Sequence, residues 1–169
     1  MDQTQSMLHL NQRLKMTKVN ERLEELGIKL PDPPDPLGAY VPSVVSGNLL
    51  FISGQLPLKD GNLMFKGKVG ADVTPEQAYQ AARGASINAL SVIGKALGDF
   101  SKVRRIVKVT GYVSSAQGFT AQAGVLNGAS DFFFEVFGDA GKHARVAVGV
   151  AELPADSPVE IEVIAEIEV

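Results

Sequence analysis

The C-terminal stretch VEIEVIAEIEV, residues 159–169, constrains the fold more than any other. Val159, Ile161, Val163, Ala165 and Ile167 alternate with Glu160, Glu162, Ile164, Glu166 and Glu168. That period of two marks a strand with one face buried and one face wetter. Such a strand needs an apolar layer on its valine and isoleucine side, and residues from Thr74 onward supply one. Thr74 suits an N-cap, Pro75 the first helical position and Gln77 the third residue of a capping box. Ala78, Ala82, Ala85, Ala89, Ile93 and Ala96 then form an apolar stripe that Gly98 ends. A stripe made largely of alanine lets a helix lie very close to a sheet.

The other elements follow from similar patterns. Val19, Leu23 and Leu26 recur at helical spacing between about Thr17 and Leu26, with Gly27 as the residue after the helix. PDPPDP at 31–36 forbids helix and predicts an extended connector. Two strands at about 40–45 and 49–53 meet at Gly47-Asn48, a hairpin signal. KDGNLMFKGKVGA reads as a loop with a short strand around Leu63–Phe65. A strand at 103–113 precedes a helix at about 127–137 that carries Phe132, Phe133, Phe134 and Phe137. Strands at about 144–151 and 159–168 close the chain. The order predicts an α/β fold with a single mixed β-sheet and two helices packed on one face. The helix-free face of that sheet is most economically covered by self-association.

With 169 residues the chain is sized for one domain. Convincing periodicity begins only at Met16, so residues 1–16 read as a flexible N-terminal extension and 17–169 as the domain. The N-terminus lacks a basic segment followed by an apolar run, and no apolar stretch approaches the roughly 20 residues of a spanning helix. These features fit a cytoplasmic protein with no membrane partner. Cysteine is absent, which excludes disulfides, thiolate metal sites and cysteine nucleophiles. A net charge of −3 gives no basic track for nucleic acid. The two histidines, His9 and His143, cannot make a histidine-rich metal site or a paired acid–base site within the domain. Neither a G-x-S-x-G elbow nor a phosphate-loop spacing occurs.

One charge stands out. HARVAVGVAELP, residues 143–154, sets Arg145 inside a run of small and β-branched residues. A guanidinium is always charged and is costly to bury without a partner. If 144–151 and 159–168 form an antiparallel hairpin around LPADSP, Arg145 and Ala147 share one face, and Glu160 and Glu162 could approach them across the strands. On residue types alone Arg145 is then either a member of a surface ion pair or a fork for a substrate carboxylate, with a nearby glutamate to position water.

Two long stretches, LGAYVPSVVSGNLLFISGQLP and HARVAVGVAELPADSPVEIEVIAEIEV, resemble the signature regions of the YjgF/RidA family, also known as endoribonuclease L-PSP-like proteins. The resemblance runs from about Leu37 to the end, and VNERLEELGIKLPDPP before it is similar to a longer-chain subgroup. It implies a chorismate-mutase-like fold assembled as a homotrimer with clefts between subunits. The activity it implies is cofactor-independent hydrolysis of 2-imino and enamino acids to 2-keto acids and ammonia, with no metal. Residue by residue, it implies that Arg145 binds the substrate carboxylate and Glu160 orients water. Tyr40, Ser53, Gly54, Asn127 and Ala147 fall on the family's substrate-binding positions. Ala147 stands where the family often has cysteine, and a tyrosine common just after the asparagine is missing, with Ser130 in that neighbourhood. Two other readings remain: a non-catalytic small-carboxylate-binding or regulatory protein, and a translation-inhibiting endoribonuclease.

Overall fold

The computed structural model describes residues 18–33 and 39–169. The first of its elements, α1 (residues 18–25), buries Val19 and Leu23. Its end is closed by a Schellman turn, in which Gly27 N–H donates to Glu24 O at 2.9 Å and Ile28 N–H to Leu23 O at 2.8 Å. Gly27 has φ +65°, as the sequence requires of a residue in that place. The expected 1–16 extension and part of the proline-rich connector lie outside the described residues.

The sheet begins with β1 (Ser43–Ser46) and β2 (Leu49–Gln55), joined by the expected Gly47-Asn48 turn, so that Ser46 faces Leu49. Next comes a small separate hairpin, β3 (Leu58–Lys59) and β4 (Asn62–Leu63), turning at Asp60-Gly61. This corrects the expected single strand at Leu63–Phe65. The Asp-Gly pair takes positive φ at both residues, 52° and 78°, and so supports a two-residue turn of its own.

Helix α2 (Pro75–Leu97) has the capping box in full: Thr74 Oγ1 accepts from Gln77 N–H, and Gln77 Oε1 from Thr74 N–H. Of the predicted stripe, Ala78, Ala82, Ala85, Ala89 and Ile93 are fully buried. Ala96 is exposed in the last turn. Strand β5 (Val103–Ser114) follows, then α3 (Gln122–Phe137), β6 (Ala144–Val150) and β7 (Val159–Ile167). Helix α3 starts five residues earlier than Asn127, and both Gly124 and Gly128 lie inside it. At Gly128 the missing side chain is what lets α3 touch α2: a Cβ there would overlap the Tyr79 carbonyl oxygen. Tyr79 Oη donates to Asp131 at 2.8 Å and Arg83 pairs with Glu135 at 2.7 Å, tying the two helices together.

The five-stranded sheet has the order β1-β2-β7-β5-β6, with β5 and β6 parallel and the other neighbours antiparallel. The expected hairpin of β6 and β7 does not form. Strand β5 lies between them, and residues 151–158 step across its end. Ser115 N–H donates to Val150 O at 3.1 Å and Ser114 N–H to Pro158 O at 2.9 Å, so the end of β5 is bonded on both flanks of that crossover. The alternation in β7 is satisfied better by this arrangement, since a central strand has both edges hydrogen-bonded while its Val159–Ile167 face packs under helices.

Helix α2 covers β7 and β2, and α3 covers β5 and β6. Helix α1 joins the same layer through Arg22, whose Nε donates to Glu135 O at 2.9 Å. The fold is thus α/β, a mixed sheet with three helices. The other sheet face carries Val44, Phe51, Val146 and Val148, all well exposed in the single chain, beside Glu160, Glu162 and Glu166.

Candidate functional site

Arg145 sits on β6, an edge strand, and its register partners are Val109 on β5 and, through it, Val163 on β7. Both partners are buried beneath helices, so Arg145 projects from the helix-covered side, where α3 meets the sheet edge. There its Nη1 donates to Asn127 Oδ1 at 2.9 Å and to Ser130 Oγ at 3.0 Å, and its Nη2 to Ala123 O at 3.2 Å. These are three neutral oxygens, all from α3. Among the described residues no carboxylate comes within ion-pair distance of Arg145. The surface ion-pair reading thus finds no partner among the described residues. A guanidinium has five N–H donors, and the three bonds leave Nε–H and one Nη2–H, on the two nitrogens of the side-on fork that matches a carboxylate.

Asn127 and Ser130 are one helical turn apart and present the same face of α3 to this guanidinium. His143, two residues before Arg145 and on the same side of the chain, completes the group. Its Nε2 is 3.0 Å from Ser130 Oγ, its Nδ1 is 2.6 Å from Gly141 O, and its ring stands edge-on to Phe133. Burial first, and then the Arg145 charge, holds its pKa below the ordinary histidine value against the opposing Gly141 hydrogen bond. Ala147 follows on the same face of β6 and packs partly buried against the core, with Gly111 beside it on β5.

Glu160 is elsewhere. Its register partners are Tyr112 on β5 and, beyond it, Val148 on β6, which puts it on the helix-free face. Arg145 and Glu160 of one chain thus lie on opposite faces of the sheet, with β5 between their strands. Their backbones are also three residues out of register, so they are roughly 14 Å apart at strand and residue spacings. The expected meeting of Arg145 with Glu160 or Glu162 across a hairpin is corrected by this topology. Among the described residues Glu160 has no hydrogen bond or ion pair, and its pKa is raised by burial and then by the Glu162 charge. Tyr112 is raised as well, by burial and by Glu162.

Gly54 belongs with Glu160. A Cβ on Gly54 would overlap Glu160 Oε1, so the bare glycine backbone is the wall against which the carboxyl lies. Ser53, next to it, donates its hydroxyl to Val41 O at 2.7 Å, and its backbone N–H donates to Pro42 O at 2.9 Å. Both bonds fasten the segment that carries Tyr40, which is 55% exposed just before β1. The predicted residues therefore fall into two groups: Arg145, Asn127 and Ala147 at the sheet edge, and Glu160, Gly54, Ser53 and Tyr40 toward the β2 side. Sequence reasoning gave Ser130 and His143 no role in the first group. The three-residue spacing from Asn127 and the two-residue spacing to Arg145 put each on the right face of its own element, without joining the two elements.

No group of three or more metal-ligating side chains is placed to hold an ion among the described residues. No helix of these residues is long and apolar enough to cross a membrane.

Comparison with known proteins agrees with this architecture. Residues 20–167 match the model of the YjgF/chorismate mutase-like endoribonuclease family. Protein TCP17 of Trypanosoma cruzi is 43% identical over 151 residues, covering 89% of this chain and 94% of that one. The 2-iminobutanoate/2-iminopropanoate deaminase of Escherichia coli is 36% identical over 132 residues, 78% of this chain and 90% of the enzyme. A crystal structure of an Agrobacterium tumefaciens protein of unknown function superposes with a TM-score of 0.88 at 43% identity, covering 95% of this chain and 99% of that one. With a family model spanning nearly the whole described domain, and relatives of this identity along most of their length, the chain belongs to the YjgF/RidA family.

Proposed function

We propose that this protein is a deaminase of small 2-imino acids, which it hydrolyses to 2-keto acids and ammonia without a cofactor. The observation that carries the reading is the state of Arg145: a guanidinium held by three neutral acceptors, with Nε–H and one Nη2–H unspent and, among the described residues, no carboxylate beside it. A charge held in this way is matched by a small organic anion, and a bidentate pair fixes orientation as well as binding. The family member from Escherichia coli named as a 2-iminobutanoate/2-iminopropanoate deaminase supports the choice of anion.

In this reading Arg145 grips the substrate carboxylate and holds the adjacent C=N carbon in place. Glu160, with its raised pKa, takes a proton from a water as the water oxygen bonds to that carbon. Glu160 passes that proton to the imine nitrogen, giving a carbinolamine, and then carries the carbinolamine's hydroxyl proton to the same nitrogen, so that ammonia leaves as the C–N bond breaks and the C=O of the keto acid forms. A protonated imine is already electrophilic, so positioning supplies much of the acceleration. Arg145 and Glu160 of one chain face away from each other, so the reading includes assembly: Arg145 of one copy works with Glu160 of another. The apolar residues Val44, Phe51, Val146 and Val148 on the helix-free face are the natural contact between copies, and a homotrimer with three equivalent clefts is the proposed state.

A second reading needs only the Arg145 group, a small-carboxylate sensor without turnover. It is favoured by the same separation, because binding requires nothing from Glu160. One experiment separates the two. An amino-acid oxidase generates 2-iminopropanoate or 2-iminobutanoate in situ, and its disappearance is followed with and without the protein. Faster loss, abolished in Arg145→Ala, supports the deaminase. Unchanged loss together with calorimetric binding of 2-oxobutanoate supports the sensor, and an Arg145→Ala protein that still turns over imine rejects both assignments of that residue.

A further inference from the structure

Resting on the reading of Arg145 as a carboxylate fork, we infer that Ser130 and His143 form a positioning pair that decides which edge of the guanidinium is offered to the ligand. The directions of the hydrogen bonds follow from chemistry alone. A carbonyl oxygen only accepts, so the 2.6 Å contact between Gly141 O and His143 places the proton on Nδ1. In the neutral ring Nε2 is then an acceptor, and the Ser130 hydroxyl, 3.0 Å away, donates to it. Guanidinium nitrogens only donate, so the Ser130 oxygen receives Arg145 Nη1–H at 3.0 Å on a free lone pair. With the ring neutral, reversing any one bond would set two donors or two acceptors against each other.

This chain of three bonds has a geometric outcome. Nη1 spends both hydrogens, one on Ser130 and one on Asn127. Ala123 O takes one hydrogen of Nη2. The hydrogens that remain are one on Nε and one on Nη2, the two nitrogens of the side-on edge. Without the Ser130 acceptor, rotation about the last side-chain bonds lets Nη1 turn toward the ligand, and the fork loses its register. His143 fixes Ser130 in turn, because a serine hydroxyl rotates freely unless an acceptor holds its proton. Phe133, edge-on to the ring, keeps the imidazole from swinging out. The charged groups around His143 are Arg145, which touches the same serine, and Lys142 next in the chain. Lys142 is bound to Asp139 at 2.7 Å and rests over Phe134, so it stands apart from the relay. Burial of the imidazole favours the neutral ring that the relay requires.

The test uses the full-length protein and two readouts. Long-range proton–nitrogen NMR of a chain with only two histidines reports the neutral tautomer of His143, and Nδ1–H is expected. Calorimetry with 2-oxobutanoate, and imine turnover where the wild type has it, report the fork. Ser130→Ala and His143→Phe, the latter keeping a ring against Phe133, are expected to weaken binding or raise KM roughly three- to tenfold, the effect of losing one such hydrogen bond. Turnover number should change less than twofold, and Ser130→Thr, which keeps the hydroxyl, should restore wild-type affinity. An Nε2–H tautomer in the wild type overturns the relay, as does unchanged affinity in Ser130→Ala. If the wild type binds no keto acid, the carboxylate reading of Arg145 is what has failed. The relay is still decided in that case: it stands on an Nδ1–H tautomer in the wild type whose Nε2 resonance shifts in Ser130→Ala as its hydrogen bond is lost, and falls if the tautomer is Nε2–H or that resonance is unmoved.

Discussion

The two groups of candidate residues differ in how complete each is within a single chain. Around Arg145 the chain provides its own frame, with Asn127, Ser130, Ala123 and His143 bonded in sequence from α3 to β6. Around Glu160 it provides little beyond the Gly54 backbone and a like-charged neighbour, Glu162. The first group is pre-organised and limited to binding. The second carries a carboxyl that can exchange protons, and it faces a surface the chain leaves uncovered. On the proposed reading the contrast divides the labour: recognition is built into the fold of one copy, and chemistry waits for a neighbour.

Mixing experiments press hardest on that division. Arg145→Ala and Glu160→Gln should each be nearly inactive, with losses of about 10³-fold for the fork and its orienting effect and about 10²-fold for the proton acceptor. Unfolding and refolding the two variants together should restore activity, since random mixing of copies leaves about a quarter of the interfaces with both residues intact. A mixture as inactive as its parts would place both residues in one copy's site or in none, and the comparison would collapse. Separately, Glu160→Gln should keep its affinity for 2-oxobutanoate while Arg145→Ala loses it.

A smaller change attacks the second group through its wall. Gly54→Ala leaves the backbone unstrained and forces the Glu160 carboxyl off its resting place, because the added Cβ occupies the position of Oε1. Turnover number should fall about tenfold, as expected of a displaced catalytic group, while keto-acid binding stays as it was. Equal loss of both would mean that the two groups are coupled inside one chain. Gly128→Ala serves as the control for damage unrelated to the site. It drives a methyl into the Tyr79 carbonyl between α2 and α3, and should cost roughly 1–3 kcal/mol of stability in urea unfolding with little change in activity per folded molecule.

How much of this was legible beforehand varied with the range of the interactions involved. Local chemistry was read correctly: the Thr74–Gln77 capping box, the Gly27 turn after α1 and the Gly47-Asn48 hairpin all depend on residues a few positions apart. The family signatures also marked Arg145, Asn127, Glu160 and Gly54 as residues of interest. What the pattern could not supply was strand order. The alternation in Val159–Ile167 says that one face is covered, and says nothing about whether β6 or β5 lies alongside. Without that fact a β6–β7 hairpin could bring Arg145 near Glu160, whereas in the structure the two lie on opposite faces of the sheet. The start of α3 at Gln122 carries no local signal, since Ala121 makes no side-chain cap and Gly124 sits in the first turn. The relay from Gly141 to Arg145 spans two elements, and no spacing in the sequence encodes it as a unit.

The smallest effect expected is on stability, and it has opposite signs in the two groups. His143 has a lowered pKa in the folded chain, so between that value and the unfolded one the unfolded chain binds more protons. Its contribution is present above the unfolded pKa and is lost as the pH falls through the folded one. Glu160 has a raised pKa, so the folded chain holds the extra proton in its window. Its contribution is present below the unfolded pKa and is lost as the pH rises through the folded one. Urea midpoints should therefore climb less steeply in His143→Phe as the pH rises toward the ordinary histidine value, and decline less in Glu160→Gln as the pH rises above the ordinary carboxylate value. The two changes should add in the double variant, because the side chains lie on opposite faces and share no partner. A double variant that departs from the sum would show that the sheet transmits charge between its faces, and the separation of recognition from chemistry would have to be redrawn.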